Sequence, residues 1–210
     1  MQLRRTLLRA ALAALCLAGA LPAARAADEA PDALVGRLST EVLQTIKTDQ
    51  VVASGDVTHI MAVVDKLIMP NMNFTRMTAS AVGPGWRQAT SAQRQKLQAE
   101  FKNLLVRTYA GALKHVGDQT VDVLPLRAAD NGNDIVVKTL VKGRGDPVQL
   151  DYRLEKTPGQ GNGWKIYDLN VLGVWLVDNY RSQFAQQVNA GGVDSLISAL
   201  VQRNQANAEK

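Results

Sequence analysis

Cysteine and histidine are almost absent from this sequence. The 210 residues contain one cysteine, Cys16, and two histidines, His59 and His115. Cys16 lies in an N-terminal leader, so the exported chain that remains after cleavage forms no disulfide. A transition-metal site requires several suitable ligands close together, whereas each histidine lies among polar neighbours on a predicted helix. We therefore expect no metal site and no cofactor.

Sequence motifs of common enzymes are missing as well. The chain has no glycine-rich phosphate loop and no Gly-x-Ser-x-Gly nucleophile turn. Its Asp and Glu residues are dispersed, and most fall on strand faces or loops that are predicted to be solvated. We expect no enzymatic activity and no catalytic residue. The alternative is a cavity enzyme of similar architecture, in which Asp168 or Tyr180 acts as the acid–base group.

Residues 1–26 have the pattern of a cleaved export signal. Arginines precede an apolar run at residues 10–21, and residues 24–26 read Ala-Arg-Ala, the small-x-small pattern of a cleavage site. We expect cleavage after Ala26. Cys16 follows a leucine inside the apolar run, which argues against a lipid anchor. Residues 27–210 contain no further run of membrane-spanning length and are predicted to form a single domain.

Most of the positive charge belongs to this leader. The chain has 24 basic and 19 acidic residues, and four of the arginines lie in residues 1–26. The remainder carries 20 basic and 19 acidic residues, a net charge of +1, with both signs interleaved. Proteins that bind nucleic acid concentrate basic residues on one surface. We therefore do not expect nucleic acid as a partner.

The first half of the chain after the leader has a helical hydrophobic period. Apolar residues recur at spacings of three and four in residues 34–46, 60–68 and 97–116, which predicts helices with one buried face. Asp56 is placed to cap the second helix. Residues 90–93, Thr-Ser-Ala-Gln, have the form of a capping box and begin the third helix.

In the second half of the chain, apolar and polar residues first alternate as in β-strands, and a helical period then returns. Residues 121–124, 135–142, 148–155 and 164–171 predict four strands, separated by turns that include residues 130–133. Two helices follow at residues 174–188 and 193–201. The predicted fold is therefore α+β, with a four-stranded antiparallel sheet packed against N-terminal and C-terminal helices.

The amino-acid identities of residues 163–184 are more specific than their hydrophobic pattern. They read Gly-Trp-Lys-Ile-Tyr-Asp-Leu-Asn-Val-Leu-Gly-Val-Trp-Leu-Val-Asp-Asn-Tyr-Arg-Ser-Gln-Phe, which resembles the closing segment of the MlaC, or toluene-tolerance, family. Trp175 departs from that family, where a small serine often follows Gly-Val. Earlier segments match in order over nearly the whole chain after the leader: Pro70-x-x-Asn73-Phe74, Gly83-x-x-Trp86-Arg87-x-Ala89-Thr90, Phe101-x-x-Leu104-Leu105-x-x-Thr108-Tyr109-Ala110 and Tyr152-x-Leu154.

The resemblance implies a periplasmic carrier that shuttles phospholipid between the inner and outer membranes. It implies two transient partners, an inner-membrane ABC transporter complex with an MCE-type ring and an outer-membrane lipoprotein–porin complex. Such a system maintains the lipid asymmetry of the outer membrane. The alternative within the family is a carrier of hopanoids or other lipids, and another is a periplasmic adaptor that has a closed core and binds only proteins.

The resemblance also implies an apolar lipid cavity between the helices and the sheet. Residues on inward apolar faces are predicted to contact acyl chains, although ordinary core packing uses the same faces. We expect weak head-group selectivity, because the sequence has no cluster of Arg and Lys suited to phosphate. The predicted lipid contacts are Leu67, Phe74, Met77, Phe101, Leu105, Tyr109, Val137, Tyr152, Ile166, Val171, Val174 and Tyr180.

Overall fold

The computed structural model describes residues 28–126 and 132–208. The predicted leader with its cleavage site, and residues 130–131 of a predicted turn, lie outside the described residues. The helices are α1 (Pro31–Thr48), α2 (Gln50–Ala53), α3 (Val57–Val63), α4 (Phe74–Val82), α5 (Gly85–Gln88), α6 (Ser91–Leu113) and α7 (Leu176–Ala208). A π-helix (Val64–Ile68) and a 3-10 helix (Met69–Asn71) lie between α3 and α4. The strands are β1 (Thr120–Val123), β2 (Asp134–Lys142), β3 (Val148–Lys156), β4 (Trp164–Val171) and β5 (Val174–Trp175).

Side-chain caps begin two helices where the sequence predicts them. Asp56 accepts a hydrogen bond from the backbone N–H of His59 at 2.7 Å, at the start of α3. At the start of α6, Thr90 and Gln93 each accept a bond from the other's backbone N–H, which completes the capping box. The bonds to the His59 and Gln93 N–H groups satisfy donors that have no partner within the helix. The predicted helix starts are confirmed at these positions.

Within the described residues the sheet has five antiparallel strands in the order β1-β2-β3-β4-β5. The α+β class is confirmed, and the predicted number of four strands was one too low. The added strand pairs Val174 with Val171, where the sequence predicted the start of a helix. A tight turn permits this pairing, since Leu172 and Gly173 have φ angles of 52° and 87°. Asn170 Oδ1 holds the turn by accepting a bond from the Gly173 N–H at 2.8 Å.

A bulge in β4 changes which of its residues share a face. The register passes from Arg153↔Asp168 to Leu154↔Ile166, so one residue of β4 has no partner on β3. Strict alternation would place Ile166 and Leu169 on opposite faces, yet both pack against the same buried cluster. The bulge therefore turns the last part of β4 so that its apolar residues face the helices.

Buried apolar side chains of the described residues form three clusters. The first joins α4, α6 and α7 around Phe101. The second packs α1 against the sheet, with Leu34 and Leu154 fully buried. The third lies among α1, α2, α3 and α6 and includes Ile46 and Ile60. These clusters approach one another without merging completely, and this is where the candidate site lies.

A glycine pair interrupts α7 between the two helical segments that the sequence predicts. Gly191 and Gly192 have non-helical backbone angles, and Gly192 has φ 73° and ψ −164°. This conformation is essentially restricted to glycine, because a Cβ atom would clash with the backbone. The break lets the second segment turn back against α6, where Leu196 and Leu200 join the first cluster.

We expect Gly192→Ala to lower the free energy of unfolding by about 1–3 kcal/mol, because alanine disfavours that backbone conformation. The matched variant is Gly111→Ala inside α6, where an added Cβ meets nothing within 4 Å. There alanine should raise the free energy of unfolding by about 0.5–1 kcal/mol. Urea unfolding followed by circular dichroism measures both changes. Equal midpoints for the two variants would contradict this explanation of the break.

Candidate functional site: an apolar cavity between the helices and the sheet

A cavity of about 320 Å³ lies where the three clusters meet. Twenty side chains of the described residues line it, and only Lys102 and Tyr109 among them carry a charge or a hydroxyl group. A polar group placed inside would lose its hydrogen bonds to water and gain almost none in return. A ligand that fills this cavity must therefore be apolar over most of its buried part.

One wall of the cavity is a single face of α6. Its residues recur at spacings of three and four, which places them side by side along the helix. Leu169 and Val171 add the contribution of the sheet, from the part of β4 that the bulge turns toward the helices. The wall residues on α6 are Lys102, Leu105, Val106, Tyr109, Ala110 and Leu113.

The opposite wall is built from α1 to α3 and from the segment that follows them. In that segment, Val64, Ile68 and Met69 line the cavity. The π-helix and the 3-10 helix contain no fully buried residue, and Pro70 has no N–H with which to continue a helical ladder. This segment is therefore less buried than the part of the wall on α1 to α3, and π-helical turns are frequent at functional sites.

Asn73 attaches this wall to the sheet and begins α4, a helix that the sequence did not predict. Its side chain accepts a bond from the Arg76 N–H at 2.9 Å and donates one to Glu155. Its own backbone N–H donates to the Ile166 carbonyl at 2.8 Å. The next residue, Phe74, lines the cavity. In the Asn73-Phe74 pair of the sequence motif, Asn73 thus fixes the segment to the sheet and Phe74 forms part of the cavity wall.

Five of the predicted lipid contacts lie on the cavity wall. Tyr109 is 37% exposed, so it lies where the cavity meets solvent. Lipid contact at these five positions stays a prediction, but their common location is what that prediction requires. They are Phe74, Met77, Leu105, Tyr109 and Val171.

Five others lie in closed core outside the cavity wall. Phe101 and Tyr180 are buried in the first cluster, where their ring centroids are 5.1 Å apart. Val137, Tyr152 and Ile166 are buried between α1 and the sheet. These five residues pack within the clusters and are not among the side chains that line the cavity.

Leu67 and Val174 are also absent from the wall. The π-helical turn presents Val64 and Ile68 to the cavity and leaves Leu67 partly buried beside them. Val174 is 51% exposed, because it lies in the edge strand β5 and not on the buried face of a helix. In both places the predicted regular α-helix was wrong.

Most of the wall before Pro70 was not predicted from the sequence. Apart from Val52 and Met69, its residues lie on the apolar faces that predicted the first two helices, so the amphipathic pattern was the available signal. That pattern shows that a face is buried but does not show whether it meets a partner. The missed residues of this wall, of which Val52 lies on the unpredicted helix α2, are Val42, Ile46, Val52, Ile60, Val63, Val64, Ile68 and Met69.

Asp168, a candidate acid–base group, lies outside the cavity. It is completely buried, and the prediction that strand carboxylates are mostly solvated was wrong here. Its carboxylate accepts bonds from the N–H groups of Leu169 and Val177 at 2.9 and 3.0 Å and pairs with Arg153 at 2.9 Å. Burial raises the pKa of the Asp168 carboxyl, while the two N–H groups and Arg153 oppose this shift. These contacts hold the start of α7 against the sheet.

Trp175 also lies outside the cavity. Its ring lies 3.9 Å from the guanidinium carbon of Arg153, which stacks a cation on an aromatic face. Asp151 and Asn170 border the same polar depression, and Asp151 is a second buried carboxylate that was expected to be solvated. The departure from the family pattern at Trp175 therefore changes the outer face of the sheet and leaves the cavity wall unaltered.

Asp168→Asn should leave lipid binding unchanged and lower the free energy of unfolding by about 1–3 kcal/mol, because it removes a charged hydrogen bond to Arg153. Asp178→Asn is the matched control, since Asp178 lies 3.5 Å from the same guanidinium and its side chain is 55% exposed. The control should cost less than about 1 kcal/mol. Chemical unfolding and lipid content test both variants. If the wild-type protein converts its lipid chemically and an equally stable Asp168→Asn does not, the enzyme alternative is favoured.

Comparison with known proteins assigns the chain to a family. The sequence model of the family described as MlaC protein matches residues 36–202. This chain belongs to the MlaC family. Two curated relatives are similar over most of their length. The MlaC binding protein of the intermembrane phospholipid transport system of Haemophilus influenzae is 22% identical, over 84% of this chain and 83% of its own. Toluene tolerance protein ttg2D of Pseudomonas putida is 26% identical, over 86% and 83%.

A solved structure extends the comparison to three dimensions. The phospholipid-binding protein of Ralstonia solanacearum, determined in complex with a phospholipid, is 45% identical to this MlaC-family chain. The two structures agree with a TM-score of 0.80 over 84% of this chain and 98% of that chain. Two of these three proteins, those of Haemophilus influenzae and Ralstonia solanacearum, are thus named for phospholipid transport or phospholipid binding. In the residues described here, no helix is both long enough and apolar enough to cross a membrane.

Proposed function

We propose that this protein binds phospholipid in the apolar cavity and carries it between membranes. The observation that carries the proposal is the apolar lining of the cavity in a chain 45% identical to a protein solved with a phospholipid. The acyl chains would lie between α6, the helices before Pro70 and β4. The charged head group would remain at the mouth, because an ionised group is costly to bury among apolar side chains.

The energetics favour a carrier that holds its lipid until a partner acts. Each buried methylene group contributes about 0.8 kcal/mol, so a dozen or more buried along the acyl chains correspond to a gross gain of about 10 kcal/mol or more. The realised affinity is smaller, because binding costs entropy and affinities saturate. Spontaneous exit would nevertheless be slow, since both chains must be exposed to water. A partner can accelerate exit only if it binds an open state better than the closed one.

We further propose the cellular setting that this mechanism requires. The protein is exported to the periplasm after cleavage at Ala26. There it exchanges lipid with an inner-membrane ABC transporter complex that has an MCE-type ring and with an outer-membrane lipoprotein–porin complex. The predicted leader supports export, and the name of the Haemophilus influenzae relative supports the transport system.

A transfer assay tests the proposed release step. Protein loaded with a fluorescent phospholipid is mixed with liposomes, with and without the inner-membrane MCE partner. We expect slow transfer to bare liposomes and a clear acceleration when the partner is present. Equal rates in both arms would refute partner-dependent release. Chemical conversion of the lipid would refute the carrier and support an enzyme.

A further inference from the structure

One place where the cavity can meet solvent lies between the π-helix and α6. Twelve of the twenty lining residues are partly exposed, and some of them lie on these two elements. Val64 and Ile68 on the π-helix are partly exposed. On α6, Tyr109 is 37% exposed and the Lys102 side chain is 24% exposed. The gap between these four residues is the candidate mouth of the cavity.

One ion pair crosses this mouth. Lys102 Nζ on α6 lies 2.6 Å from Asp65 Oδ1 on the π-helix. Lys102 is the one cationic residue among the side chains that line the cavity in the described part of the chain. Its aliphatic stem lies against the apolar wall while its ammonium group stays at the surface, a common arrangement for lysine. The Asp65 side chain is 50% exposed, so it can move away from Lys102 into water.

We propose that Lys102 binds the phosphate of the bound lipid and that Asp65 is the carboxylate which this phosphate displaces. The inference rests on the proposed function, since it requires a phospholipid in the cavity. With the acyl chains beside Leu105 and Val106, the phosphate lies at the mouth, where Lys102 is the nearest cation on the wall. An ammonium group offers three hydrogen-bond donors to phosphate oxygens. Exchanging one anion for the other leaves Lys102 paired in the loaded and empty protein.

This pairing gives the site a chemical preference that the sequence did not predict. A neutral lipid with the same chains would fill the cavity but would leave the Lys102–Asp65 pair in place. A phospholipid gains the contact with Lys102, and it must compete with Asp65 for that contact. The mouth therefore distinguishes lipids that carry a phosphate from those that do not, and Asp65 limits how strongly it does so.

The test compares two lipids that have identical chains. Vesicles containing equal amounts of dioleoylphosphatidylglycerol and dioleoylglycerol are incubated with the full chain, and the lipids recovered with the protein are quantified by mass spectrometry. We expect Lys102→Gln to lower the ratio of phospholipid to neutral lipid about threefold to fivefold, the range of a partly exposed ion pair. Asp65→Asn should raise this ratio by a similar factor, because the competing charge is removed.

A second lysine on the same helix supplies the control. Lys96 pairs with Glu100 at 2.7 Å, four residues along α6, and does not line the cavity. Lys96→Gln should keep the wild-type lipid ratio. A wild-type ratio in folded Lys102→Gln would overturn the inference and leave the proposed function intact. If Lys102→Gln does not fold, a wild-type ratio in Asp65→Asn overturns it. Wild-type protein that takes up neither lipid would overturn the proposed function itself.

Discussion

Leu105→Trp is expected to remove most of the bound lipid while the protein stays folded. Leu105 lies on the cavity wall of α6 and is only partly buried, so the larger indole ring can occupy space that a lipid chain would use. Excluding only two methylene groups, at about 0.8 kcal/mol each, already weakens binding about tenfold. We therefore expect lipid per protein to fall by about tenfold or more. Mass spectrometry of extracted lipid measures the loss.

The control for this variant is Ala112→Trp. Ala112 lies on α6 but is exposed and does not line the cavity, so the same side chain is added on the solvent side. Lipid content should stay at the wild-type level. Full lipid content in folded Leu105→Trp would remove Leu105 from the site and would place the acyl chains elsewhere.

Phe101→Ala is expected to destabilise the fold strongly, by about 3–5 kcal/mol. Phe101 is fully buried. Its ring centroid lies 5.8 Å from that of Phe74, 5.1 Å from that of Tyr180 and 5.2 Å from that of Phe184. Truncation leaves an unfilled space among these rings and removes their edge and stacking contacts. The decrease should appear in urea unfolding midpoints.

Tyr109→Ala provides the opposite combination of effects. Tyr109 lies on the same helix, lines the cavity and is 37% exposed, so its removal should cost the fold less than that of Phe101. For each kcal/mol of unfolding free energy lost, Tyr109→Ala should lower the lipid content more than Phe101→Ala does. If Phe101→Ala left stability unchanged and removed lipid, Phe101 would be a wall residue, as the sequence analysis proposed.

The architecture was predictable from the sequence because it depends on local patterns. The Thr90–Gln93 capping box and the Asp56 cap are short-range signals, and the structure confirms both. The alternation of β3 and β4 predicted an antiparallel sheet. Where local patterns were ambiguous, the prediction failed, as at Val174, which continues a helical period but pairs with β4.

The cavity was predictable only in part, because it depends on distances between elements. Phe101 and Leu105 are both apolar residues on α6, yet one fills the core and the other lines the cavity. Hydrophobic periodicity indicates burial for both and cannot say how far the facing element lies. The bulge in β4 could not be predicted either, since the register shift that turns Val171 toward the cavity leaves no clear mark in the sequence.

The Lys102–Asp65 pair was not predictable from the sequence either. A 3-10 helix, α4, α5 and the first half of α6 separate the two residues in the chain, and each occupies an ordinary polar position in its own segment. Their meeting depends on the π-helical turn that follows α3. A search for clustered Arg and Lys in the sequence cannot find a site that has a single lysine.

Organic extraction of protein purified from the periplasm, followed by lipid mass spectrometry, tests the central claim most directly. The apolar cavity and the membership in the MlaC family predict that intact phospholipid is recovered in stoichiometric amounts, and that the amount falls in Leu105→Trp but not in Ala112→Trp. The recovered species also distinguishes phospholipid from hopanoid cargo. Wild-type protein that is folded and yields no lipid, or only chemically converted lipid, would contradict the account of this protein as a phospholipid carrier.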